Sequence, residues 1–510
     1  MVFFSDRARV ARLCLGLGLI LGISPAGCSS DTHAPSAVRR AVGSTSHALT
    51  VTPIPAGSLW ERESSHAVRW DSPGLDNDDL VIIHVSFDSG ATWEDLGTVA
   101  AVNREWIWTV PASGPSRARL RVTRMSGAAE PVVLGQSETD DVPLAPSQKR
   151  SYTWARILSD APWGPRDGAG ALVHDGKMWL IGGWNGDRFP LTTANDVWSS
   201  TNGVNWSEEK PNTFLDPATF DRANDWEGRH FSGYQVHDGK MWLIGGDPMQ
   251  GHYQTDVWNS VDGRRWTRTD IHTSTPRMIL DNNEGSETFG EMIPYLGWRP
   301  VEEAQFGLRT IHITGVFDGK LWLMGGQRIE MRVSSPWPGA PAQVFNDVWS
   351  STDGATWTET PTVGPMWAPR GLVDNAVSFN GRMWLIGGGT YEDPGVGIEW
   401  RDFYNDVWST ADGAHWEKVP ELAPFKAREY HNVAVFDGRL WVIGGYDTDN
   451  SGEAWYTTDG RNWYNGSKAD FAPRHAASVW VYNGDMYIGA GNTFEAGVWV
   501  ADMWKVSVAP

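Results

Sequence analysis

Short runs in which apolar and polar positions alternate dominate the chain, and from residue 151 onward they recur in a fixed order. Alternation with period two is the pattern of a half-buried strand. An apolar strand ending in a glycine pair stands at 178–183, 241–246, 321–326, 383–388 and 440–445, with a degenerate sixth copy at 486–491. An Asx-Gly pair precedes each: Asp175-Gly176, Asp238-Gly239, Asp318-Gly319, Asn380-Gly381, Asp437-Gly438 and Asn483-Gly484. Asx-Gly between such runs predicts a type I′ hairpin, because both turn positions need positive φ. A second hairpin follows. Trp198, Trp258, Trp349, Trp408 and Trp455 each stand eight residues before Trp206, Trp266, Trp357, Trp416 and Trp463, with another Asx-Gly pair between them. Each unit is expected to be four antiparallel strands.

The sixth unit ends at Pro510 without a fourth strand, while a spare one, 152–158, stands at the front with Trp154 in the place of the other units' last Trp. We expect 152–158 to complete the last unit and so remove open sheet edges. The glycine pair, the Asp-Val-Trp strand and the last Trp resemble kelch repeats over nearly all of 151–510, and also the propeller of galactose-oxidase-like proteins. The resemblance implies an all-β protein built on a six-bladed kelch-like β-propeller, one unit per blade.

Residues 49–145 show short strands at sandwich spacing, among them 67–70, 80–85, 106–110 and 118–122. They resemble an immunoglobulin-like or fibronectin-III-like module, so a small β-sandwich is expected before the propeller. Ser86 to Trp93 also matches the Asp-box of sialidases, a hairpin device without a catalytic atom.

The first 28 residues read as an export signal: Arg7, Arg9 and Arg12, then an apolar stretch too short to span a bilayer. Ala26-Gly27-Cys28-Ser29 resembles a lipobox, with Pro25 as a departure, and implies acylation of Cys28. Residues 29–48 are small and polar, a flexible tether. The protein is expected to be exported and held at the cell envelope as an outer-membrane-anchored or surface lipoprotein, with the lipid as its only membrane contact.

The formal net charge of −20 argues against a nucleic-acid partner, which needs clustered Lys and Arg. The 31 Trp and 56 Gly follow from the repetition of the motif. Both cysteines, Cys14 and Cys28, precede the folded body. That excludes a copper radical oxidase, whose family needs a Cys cross-linked to a Tyr ligand. No Ser-His-Asp set, phosphate-binding Gly loop or HExxH motif is present. His230, His312, His431 and His475 lack ligand spacing, and 447–453 begins like a calcium loop but has Thr458 where the bidentate Glu belongs. No cofactor or metal is expected, and the chain reads as a monomer.

Every length change falls in the connections on one face, the largest being 207–228, 267–308, 327–345 and 389–404. Long loops on a rigid scaffold carry function, so the ligand is expected there. Trp226, Trp298, Trp400 and Tyr404 are the candidate aromatics. One Arg begins each unit, Arg166, Arg229, Arg309, Arg370, Arg428 and Arg474. Two uses compete for them: a ring of cations near the channel mouth clamping an anion, or a scaffold role pairing a backbone carbonyl or a repeat acid such as Asp196, Asp256, Asp347 or Asp406; the last five are carried as candidate ligand residues. The expected function is surface recognition or scaffolding, binding a glycan or an extracellular protein. The alternative is a carbohydrate-active enzyme of the sialic-acid mutarotase or sialidase-like type.

Overall fold

The structure is a computed structural model. It describes residues 49–510 except 128–130, 189–191, 216–219, 222–223, 250–251, 270–273, 281–291, 301–304, 308, 329–342, 372–373, 391–400, 469 and 494–498. Its regular structure is strand apart from two single-turn 3-10 helices among the described residues.

Among the described residues, six sets of four antiparallel strands make up the larger part: five are separate sheets, and the other is continuous with strands of residues 49–145 in one seven-stranded sheet. Sheet I runs Gly170–His174, Lys177–Ile181, Val197–Ser200 and Trp206–Lys210. Sheets II to V repeat this order from Gly233–His237, Ile313–Phe317, Val377–Phe379 and Asn432–Phe436 outward. Sheet VI has Ser478–Tyr482, Asp485–Gly489 and Met503–Val508, and its fourth strand is Tyr152–Leu158. There Tyr152 faces Val508 and Arg156 faces Trp504. The first strand of each sheet touches that of the next, and that of sheet VI touches that of sheet I.

The first hairpin of each sheet has positive φ at both turn residues, as at Asp175 (47°) and Gly176 (67°). The second turn is built differently. Only its glycine is left-handed, and the preceding Asx caps two amides: Asp262 Oδ1 accepts from the N–H of Arg264 and Arg265 at 2.9 and 3.0 Å. Gly263 O then accepts the Trp266 indole at 3.1 Å, and the same indole bond recurs in sheets I and III to V. The module's Asp88 turn uses the same device, with Thr92 and Ser86 on Asp88 and Trp93 on Gly90.

These turns hold the sheets together. A Cβ on Gly263 would stand 2.2 Å from the Trp179 ring of the sheet before it, and Gly354 and Gly413 meet Trp242 and Trp322 in the same way. The indole edge fills the space where a side chain would be. Sheet VI has no such turn, and Tyr152 instead meets the Trp441 ring edge-on at 4.7 Å. Trp154 packs on Phe471 at 5.3 Å, as Trp206 does on Trp163 and Trp266 on Trp226.

In 49–145, Thr50–Val51 and Glu105–Thr109 flank Ser65–Asp71. A second sheet contains Glu94–Ala100, Leu80–Ser86, Arg117–Met125 and Val142–Ala145. Trp60, Trp70, Val81, Ile83, Trp108 and Val122 share one buried core. Ser65 pairs with Trp463, the Glu61 carboxylate accepts from the Tyr464 hydroxyl at 2.5 Å, and Ser58 bonds Glu421 at 2.6 Å. These contacts join the module to sheet V.

Candidate functional site

The unit-opening arginines belong to the scaffold. Arg166, Arg229, Arg309, Arg370, Arg428 and Arg474 are each at most 2% exposed. Arg229 grips Asp256 with both nitrogens at 2.5 and 3.2 Å and donates to Gly245 O, the first residue of the glycine pair, at 3.1 Å. Asp256 also accepts the Trp258 indole at 2.7 Å. The pattern recurs at Arg166–Asp196, Arg309–Asp347, Arg370–Asp406 and Arg474–Asp502, and in sheet V Arg428 uses Glu453. One buried bidentate pair thus explains the Arg, the glycine pair and the Asp-Val-Trp strand together. The anion-clamp expectation is corrected, because these guanidiniums are sealed and their terminal nitrogens are taken up by the carboxylate and the glycine carbonyl of their own sheet.

The other candidates divide. Trp226 is fully buried, edge-on to Trp266 at 5.7 Å, so it packs its loop down and is corrected as a ligand residue. Tyr404 lies under the Arg370 guanidinium at 3.7 Å. Trp298 falls in the strand Met292–Pro300, and Cys28 and Trp400 lie outside the described residues. In 447–453, Glu453 is taken by Arg428 and Asp447 by Lys426 at 3.5 Å.

The residues brought together at the axis are ones that the repeat leaves free to differ. Two positions after the Arg, the backbone turns left-handed at Gly168, Phe231, Ile311, Tyr430 and Ala476, with φ between 50° and 56°. Gly168 N–H donates to Ala476 O at 3.0 Å, Phe231 to Gly168 at 3.3 Å and Ala476 to Tyr430 at 2.8 Å, a backbone chain linking sheets V, VI, I and II. Phe231 and Tyr430 meet with ring centroids 5.2 Å apart. From that pair, ring contacts continue outward: Phe231 meets His230, which stacks on Trp184, and Trp184 meets Trp499 edge-on, while Tyr430 meets His475, which in turn meets Tyr446.

Polar groups border this aromatic floor. Asp167 accepts the Trp499 indole at 3.1 Å, and Arg401 pairs with Glu429 at 3.1 Å. His475 Nδ1 lies 2.6 Å from Asn450 Oδ1, and burial pushes its pKa down to about 3, so it stays neutral. The first strand of every sheet starts on this side and runs toward its Asx-Gly turn, which puts the cup on the long-loop face.

Against the inner side of the Phe231–Tyr430 pair lies a cavity of ≈ 40 Å³ lined by His312, Asp374, His431 and Asn432. It has room for about three waters and none for a sugar. Asp374 accepts from Asn432 at 2.9 Å. Surrounding protein pushes its carboxyl up to about 6, while an open side keeps it in contact with channel water and softens that effect. Among the described residues, no group of His, Cys, Asp and Glu is arranged to hold a metal.

Sequence reasoning missed Asp167, Trp184, Phe231, Arg401, Glu429, Tyr430 and Trp499. A signal was available: the position after the invariant Arg reads Asp167, His230, Thr310, Gly371, Glu429 and His475, different in nearly every unit. A scaffold position repeats, so a position that varies between units is open to function.

A family model, Kelch motif, matches residues 165–199, the span from Arg166 through the first glycine pair to Trp198. With the all-β sheets and their repeated Arg–Gly–Asp–Trp bonding, this match supports a β-propeller of the kelch-repeat class. The solved structure titled "Structure of YjhT" is 13% identical, covers 68% of this chain and 96% of its own, and has a TM-score of 0.44. A search of the curated proteins finds no match.

Proposed function

We propose that the protein is an exported recognition protein that binds a glycan in the cup on the long-loop face of a six-bladed propeller. The observation that carries this reading is the aromatic floor: Phe231 and Tyr430 meeting at the axis, with Trp184, Trp499 and Tyr446 around them and acids and an arginine at the border. Ring faces cover the apolar C–H surface of a sugar, and a guanidinium at the border donates to its oxygens. The closed cycle of first strands and the pairing of 152–158 with 503–508 support the count of six. The two sheets of 49–145 around one core support an immunoglobulin-like or fibronectin-III-like sandwich. Acylated Cys28 and the tether 29–48 would hold both parts at the cell envelope.

A glycan array probed with the mature chain tests this. Discrete hits that disappear with Trp184→Ala or Trp499→Ala are expected. Hits unchanged by both variants would sink the cup as the site, and an empty array would shift the reading to a protein partner. A second reading is a carbohydrate-active enzyme of the sialic-acid mutarotase or sialidase-like type. Turnover of a bound sugar would select it.

A further inference from the structure

At the end of the module farthest from sheet V, the outer face of the second sheet carries one apolar row. Ala100, Leu80, Met125 and Val133 are successive partners across four strands, so their side chains share a face. That face is the solvent side, because Val81, Ile83 and Val85, which alternate with it, are buried. Leu80 is 41% exposed and Val133 61%, and Val102 and Val132 flank the row at 42% and 57%. Four of the large apolar side chains left exposed among the described residues thus gather at one tip, where isolated ones would be unremarkable.

The same face changes character along its length. Two positions further in stand Ile82 and Thr123, and beyond them the His84–Asp95 and Arg121–Glu138 pairs at 2.6 and 2.7 Å. The chain also enters the module at this end: Thr50 pairs with Asp71, the residue beside the tip, whereas Ser65 at the other end of the same strand pairs with the propeller. The twenty residues 29–48 therefore join Cys28 to the end that carries the apolar row, where the exposed Asp71–Arg104 pair and the acids Asp76 and Asp78 stand at its border.

We propose that this tip rests on a zwitterionic lipid surface, with Leu80, Val102, Val132 and Val133 entering the interfacial layer. A flexible chain of this length keeps its ends on average only ~25 Å apart, so an anchor at Cys28 presents the tip to the bilayer at high local concentration. A small apolar area then suffices, as a second signal beside one lipid anchor. The net charge of −20 argues for a neutral rather than an anionic surface. The tip contact orients the propeller away from the membrane.

The inference rests on the membrane-anchored reading, so its test supplies an anchor of its own. The mature chain from residue 28, with Cys28→Ser and an amino-terminal histidine tag, is held on phosphatidylcholine vesicles through a nickel-chelating lipid. Val133→Cys, or Val363→Cys on the propeller, carries a polarity-sensitive fluorophore. The Val133 label should shift to the blue and be quenched by brominated acyl chains, the Val363 label should do neither, and adding Leu80→Ser with Val102→Ser should abolish the shift. A Val133 label as aqueous as the Val363 label overturns the proposal. The mass of the exported wild-type chain reports acylation separately, so failure of the anchor and failure of the tip give different results.

Discussion

Phe231 and Tyr430 come from sheets three places apart in the cycle, and their rings meet 5.2 Å apart at 34°. Both residues hold positive φ, 50° and 55°, which costs a residue with a Cβ roughly 1–2 kcal/mol. The same left-handed turn at Gly168 is free of that strain. Strain of this kind persists where the surroundings over-determine it, and it gathers at ligand sites. Here it aims two aromatic side chains at the axis, and the mouth of the channel becomes a cup with a floor.

Strand Tyr152–Leu158 is the outer strand of sheet VI, and Trp154 fills the place of the missing last Trp. Deleting 151–158 exposes Met503–Val508 as an edge and empties the contact between Tyr152 and Trp441. The deletion is expected to remove much of the ~5–15 kcal/mol that holds a domain, and calorimetry should show the whole propeller melting earlier in one transition. Melting at the parent temperature would contradict closure by this strand.

The Arg229–Asp256 pair predicts a loss of stability without a loss of ligand contact. Arg229→Met leaves a buried carboxylate unpaired and should cost about 3–5 kcal/mol in urea unfolding. The double variant Arg229→Met with Asp256→Leu should recover at least half of that. Unchanged stability in the single variant would return the arginine to the list of ligand candidates.

Gly263 and Gly239 are both left-handed, at φ 70° and 67°, but only Gly263 faces an indole at 2.2 Å. Gly239→Ala should cost roughly 1–2 kcal/mol, the backbone strain alone. Gly263→Ala adds overpacking of about 1–3 kcal/mol. Equal denaturation midpoints for the two variants would refute the interlock between sheets.

His66, His312 and His431 are buried, and burial holds them at about 3, 3 and 4, below the usual histidine value. Their contribution to stability is fully present above about pH 6.5 and is lost as pH falls toward the folded values. Each histidine adds up to about 1.4 kcal/mol per pH unit over that window. Urea unfolding between pH 7 and 4 should show this slope, and it should flatten by about one proton in His312→Gln, whose side-chain amide can still donate to Ile244 O, the bond that His312 makes at 3.1 Å.

The scaffold was legible in the sequence because it is written many times. The Asx-Gly pairs, the glycine pairs and the spacing from Trp198 to Trp206 each encode a local turn or strand, and local patterns survive in one dimension. The arginines were legible as repeated but not as buried, since burial depends on Asp256 and Gly245 meeting them across 16 to 27 residues. The cup was not legible at all. It is made by residues from different units, Phe231 against Tyr430 and Trp184 against Trp499, which closure of the ring brings together. Trp226 misled because an exposed-looking loop aromatic and a buried one have the same sequence context.

The most direct test of the glycan cup is a crystal structure of the mature chain with the best sugar from the array. The account predicts a pyranose ring over Phe231 and Tyr430, with a hydroxyl on Arg401 and with Trp184 and Trp499 at its edge. A sugar bound on the Asx-Gly turn face or on the module, with the cup unchanged, would contradict it.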